Sequence, residues 1–114
     1  MLKAGTAARR RTLTGGTIYE PTALQSLVVD VLGHIDGRLQ QTKADWVGHI
    51  KVLIGDGNVA MYGSVTMAGD APTWAGQLTA GLERAELTIY AAIYTLTDAQ
   101  VAAAVDEALA EQSL

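Results

Sequence analysis

Apolar positions along the chain change their spacing several times, and each spacing marks an element. From Leu24 they fall three and four apart, through Leu27, Val28, Val31, Leu32, Ile35 and Leu39. That is one stripe of an amphipathic helix running to about Gln41. Pro21 opens it at a first-turn position, where its missing N–H costs nothing. Gly33 and Gly37 interrupt the stripe, each weakening the helix by ~1 kcal/mol relative to alanine. Standing four apart, they are read as letting a neighbouring element pack closely.

Alternation then replaces the helical period. WVGHIKVLI (46–54) sets Trp46, Gly48, Ile50, Val52 and Ile54 on one side and Val47, His49, Lys51 and Leu53 on the other, the mark of a half-buried strand. Gly55-Asp56-Gly57-Asn58 is a turn signal, so the next strand should close a hairpin. NVAMYGSVTMA (58–68) continues it, with Val59, Met61, Val65 and Met67 towards the core and Tyr62, Ser64 and Thr66 away. AELTIYAAIYTL (85–96) alternates again, with Leu87, Ile89, Ala91 and Ile93 opposed to Glu86, Thr88, Tyr90 and Tyr94. Thr97 and Gln100 form a capping box, and Val101, Ala104, Val105, Ala108 and Leu109 give the last helix its stripe.

The ends and gaps are less patterned. Residues 1–12 are small, polar and basic without periodicity and read as a flexible arm. LTGGTIYE (13–20) is at most a short edge strand broken by Gly15 and Gly16, and 69–84, with Pro72 and three glycines, has no clear period. The expectation is one α+β domain over 13–114. It is a two-layer sandwich in the order (β)αβββα, with a three- or four-stranded antiparallel sheet and two helices on one face.

Composition narrows the chemistry. At 114 residues and 49% hydrophobic content, one modest core is affordable without a staple. There is no cysteine, which removes disulfides, thiolate metal sites and cysteine nucleophiles. No apolar run approaches the ~20 residues that span a bilayer, and the basic N-terminus lacks the apolar segment of a secretory signal. The default expectation is a cytoplasmic protein with no membrane partner. Lys3 and Arg9–Arg11 hold four of the eight basic residues, so the remaining four face all twelve acidic ones, a net of −8 from Thr12 onward. A body that acidic repels a phosphate backbone, and no nucleic-acid partner is expected.

Familiar catalytic signatures are missing. The chain has no phosphate loop, dinucleotide turn, nucleophile elbow or His-Glu-x-x-His pair. GDGN (55–58) sits between strands, as a hairpin turn does. His34 lies at the edge of the first helix's stripe and reads as a packed or partly exposed structural side chain. His49, beside Lys51, lacks the partners that a general base or a metal ligand requires. No cofactor is expected. Trp74, in the irregular stretch, is either a plug at the end of the core or a binding hot spot.

With both helices on one side, the other side of the sheet carries His49, Lys51, Leu53, Tyr62, Tyr90 and Tyr94. Tyrosine is enriched at interfaces, and an exposed apolar patch needs a reason. These six residues are the candidate partner-binding face, the alternative being a solvated face whose tyrosines serve strand propensity.

The segments Val47-Gly48-His49-Ile50-Lys51 and Ala85-Glu86-Leu87-Thr88-Ile89 give residues 20–109 a pattern that resembles the small C-terminal accessory domain of CobW-like metallochaperone GTPases. The chain departs from that family in lacking the GTPase domain, its phosphate loop and its cysteine-rich metal motif. The resemblance therefore implies an accessory module that docks to a partner in metal or cofactor delivery, without GTP hydrolysis. Three functions follow as expectations. The first is a non-catalytic protein-binding or assembly module, its open face meeting a protein partner or a second copy. The second is a small oligomeric enzyme with a site between subunits, using His49, Lys51 and Tyr90. The third is a structural subunit of a larger particle.

Overall fold

The computed structural model describes residues 3–114. Pro21 opens helix α1 (Pro21–Thr42), which buries Leu24, Val28, Val31, Leu32, Ile35 and Leu39. It ends where the backbone N–H of Lys43 donates to the Leu39 carbonyl at 2.8 Å. Helix α2 (Asp98–Glu111) starts at the expected capping box. Thr97 Oγ1 accepts from the Gln100 N–H at 3.1 Å, and Gln100 Oε1 accepts from the Thr97 N–H at 2.9 Å. The two reciprocal bonds satisfy donors that a helix start otherwise leaves unpaired.

Five strands form one antiparallel sheet: β1 (Ala4–Tyr19), β2 (Val47–Gly55), β3 (Ala60–Met67), β4 (Thr73–Gly76) and β5 (Leu82–Tyr94). They lie in the order β1-β5-β2-β3-β4. Ile50, Val52 and Ile54 of β2 and Leu87, Ile89, Ala91 and Ile93 of β5 are fully buried, every second residue, in one core with the stripes of both helices. α1 lies over β2 and β3, and α2 over β1 and β5. The α+β sandwich with both helices on one face is the expected architecture, with five strands in place of three or four.

The hairpin between β2 and β3 follows from Asp56. Its carboxylate accepts the N–H groups of Asn58 and Val59 at 2.8 and 3.0 Å, and Gly57 takes φ +96°. An Asx turn with glycine in the left-handed region reverses the chain here.

Several expectations are corrected. The stretch expected as a flexible arm is strand β1, paired with β5 without a break from Ala4 to Thr14; residues 1 and 2 lie outside the described residues. Its helix-side positions are Gly5, Ala7, Arg9, Arg11 and Leu13, too short or too polar to show a strand period. The irregular stretch after β3 contains β4, which pairs Thr73–Gly76 with Met61–Ser64. Gly33 and Gly37 have no atom within 4 Å of where a Cβ would stand, so no element packs against them.

Met67 and Val59 are exposed rather than in the core. A register shift between Val47 and Ile50 pairs Met67 with Val47, which puts Met67 out of step with the buried positions of β3; the two are 47% and 48% exposed. Trp74 stands opposite Gly63, its ring over the space a Gly63 side chain would fill, with Leu32 on the same spot. It closes the edge of the core while staying 38% exposed.

Candidate functional site

The face of the sheet turned away from the helices is covered by no element among the described residues. All six candidate residues lie on it. β2 contributes His49, Lys51 and Leu53, which alternate with the buried Ile50, Val52 and Ile54. β5 contributes Tyr90 and Tyr94, 47% and 44% exposed, and β3 contributes Tyr62.

Register sets the neighbours. Tyr90 is paired with Lys51 on one side and Ala8 on the other. Leu53 is paired with Tyr62 and with Thr88, and Thr88 in turn with Arg10. Ala92 is paired with His49 and Thr6, and Tyr94 with Ala4. Directly opposed side chains in an antiparallel pair stand ~4.5–5.5 Å apart at Cβ. The two exposed tyrosines of β5 are therefore separated by Ala92 and flanked by alanine on β1, which leaves both rings open. The Lys51 ammonium lies 4.0 Å from the centre of the Tyr62 ring, a cation–π contact that lays both side chains along the sheet.

The charge of this face differs from that of the chain. Arg10, Lys51 and Arg84 stand on it against Glu86, with Arg84 Nη2 3.8 Å from Glu86. The carboxylates concentrate around the helices. Asp106 pairs with Arg9, and Glu111 pairs with His34 and Arg38. Both carboxyls are held below the ordinary carboxylate range, Asp106 chiefly by the Arg9 hydrogen bond and Glu111 by the His34 bond and then the Arg38 bond. Asp56 is lowered likewise by the amides of Val59 and Asn58.

His34 serves a structural role: its Nδ1 lies 2.7 Å from Glu111 Oε2 and ties α1 to α2. Among the described residues, His49 has no side-chain hydrogen-bond partner, and no three His, Asp or Glu side chains converge as metal ligands. No helix among them is long and apolar enough to cross a membrane.

Sequence reasoning missed the contribution of β1. Thr6, Ala8 and Arg10 extend the face by a fifth strand, and Arg10, Leu53, Val59, Glu86 and Thr88 line a recess beside the 55–59 turn. The only signal in the sequence was a run of threonines and arginines without proline, which is compatible with a strand and does not demand one. No known protein family, curated protein or solved structure matches the chain, and the site is read from its own residues.

Proposed function

We propose that this chain is a non-catalytic protein-binding or assembly module that works through the open face of its sheet, a second copy being its first partner. One observation carries the reading. Both helices cover one side of the sheet, while Tyr90 and Tyr94 stand nearly half exposed on the other. Aromatic side chains in such a position bury large area at low entropic cost when a partner arrives. Isologous pairing of identical faces is the commonest way a small domain covers such a surface.

The catalytic alternative has less behind it. A general base needs an orienting partner, and His49 has none among the described residues. Lys51 is engaged with the Tyr62 ring.

The test is solution mass by light scattering coupled to size exclusion, for the wild type and for Tyr90→Glu with Tyr94→Glu. An oligomer that the double substitution dissolves supports self-association through this face. A monomer in both cases sinks it, and the face is then to be tested by pull-down against other proteins.

A further inference from the structure

β1 is an edge strand sixteen residues long, bonded to β5 on one side only. A bare edge of that length is a template for pairing with another chain. In an antiparallel strand, successive residues turn their N–H and C=O groups to opposite sides. Lys3 accepts from the Thr95 N–H at 2.9 Å, so odd-numbered residues face β5. Thr6, Ala8 and Arg10 present their backbone groups to the free side.

Three of those groups are taken up by the chain itself. The Thr6 N–H donates to Asp98 Oδ1 at 2.8 Å. Arg9 Nη1 donates to the Ala8 carbonyl at 2.8 Å, and Arg11 Nη1 to the Arg10 carbonyl at 2.9 Å. Arg9 is also anchored from behind, where its Nε and Nη2 donate to the two oxygens of Asp106 on α2 at 2.8 and 3.1 Å. That fork holds the guanidinium in one orientation. It wraps around the strand, joining the helix layer to the outermost row of carbonyls.

We propose that the free edge of β1 is closed to strand addition by Asp98, Arg9 and Arg11, and that, once opened, its occupant is the same edge of a second copy. An antiparallel β1–β1 pair centred on Ala8 would set Thr6 against Arg10, Ala4 against Thr12 and Ala7 against Arg9. The side chains in that register are small except for the arginines, and no proline or bulge interrupts Ala4–Thr14. What stands in the way is the pair of guanidinium groups on the carbonyls that an incoming strand would have to reach. The arginine run thereby acts as an edge guard, and it directs assembly away from the edge of the sheet. This holds whatever the open face binds.

Two measurements test it. In the wild type, amide hydrogen exchange should be slow at Thr6 and fast at Ala8 and Arg10, whose N–H groups have no acceptor among the described residues. Slow exchange at all three would mean that the edge already carries a partner strand, and fast exchange at Thr6 would mean that no cap exists. Either result overturns the proposal. The second measurement compares solution masses in a chain carrying Tyr90→Glu and Tyr94→Glu, so that association through the open face is scored separately. Adding Arg9→Ala, Arg11→Ala and Asp98→Ala, which removes all three caps, should double the mass relative to that chain, while adding Arg10→Ala, which removes charge without removing a cap, should leave it unchanged. An unchanged mass in the first case, or equal doubling in both, overturns the proposal.

Discussion

The indole N–H of Trp46 donates to the carboxylate of Asp36 at 2.8 Å, joining the residue that leads into β2 to the C-terminal part of α1. The same carboxylate accepts the Gly69 N–H at 3.0 Å and the Gln40 side-chain amide at 2.9 Å. One acidic side chain thus ties the first helix to both ends of the β2–β3 hairpin. Trp46 is fully buried, and its polar atom needs this partner. Removing the acceptor in Asp36→Ala should cost about 1–3 kcal/mol, and Trp46→Ala about 3–5 kcal/mol, both read from urea denaturation.

Gly63 lies where a side chain would compete with Leu32 and Trp74. A Cβ there would stand 3.0 Å from Leu32 Cδ1 and 3.3 Å from the Trp74 ring. Gly63→Ala needs only a small shift of a flexible leucine, whereas Gly63→Val overfills the site and should cost about 1–3 kcal/mol. Thermal melts of the two variants check this, and a valine variant as stable as the alanine one would show that the edge is loosely packed.

Thr95 adopts φ +69° in the turn between β5 and α2, the left-handed region that a β-branched residue rarely enters. Thr95→Asn keeps the backbone bond to Lys3 and suits that conformation better. Its free energy of unfolding should rise by about 0.5–1 kcal/mol, part of the left-handed penalty carried by L-residues. Denaturant midpoints at unchanged slope are the measurement.

Acid sensitivity follows from the three lowered carboxyls, Asp56, Asp106 and Glu111. A carboxyl whose folded pKa is depressed adds stability that is complete above its unfolded value and lost as pH falls through the folded one. Melting temperature should therefore hold from neutral pH to about 5 and fall below about 4, the ordinary carboxyl range. Asp106→Asn should reduce that acid loss, since the Arg9 pair is then absent at every pH.

Lys51→Ala removes a cation from the open face and frees Tyr62. Because the contact is at the surface, stability should change by no more than about 0.5–1 kcal/mol. If the face assembles, the effect should fall on the association constant instead, measured by sedimentation at several concentrations. A folded Lys51→Ala chain with an unchanged association constant would contradict the assignment.

The elements with a sharp period were legible from residues alone. The leucine and valine stripe of α1, the alternation of Ile50, Val52 and Ile54, and the box of Thr97 and Gln100 each report burial or capping directly. Where burial and polarity decouple, the pattern went silent. β1 is held by its backbone pairing with β5, and its helix-side Arg9 reaches past the core to Asp106. Nothing in Ala7, Arg9 and Arg11 read in order announces that.

The sequence by itself determined that the chain forms two helices and three alternating strands around one apolar layer, because spacing of apolar residues is set by local geometry that any buried face must satisfy. It also determined that six particular side chains share a face, since strand parity holds wherever no register shift intervenes. Only the tertiary structure decided that the basic N-terminal segment is an edge strand, that Met67 stands outside the core, and that Arg9 and Arg11 fold over their own carbonyls. Those outcomes depend on which strand lies beside which and on where the pairing register shifts, relationships between residues up to 97 positions apart that no local period encodes.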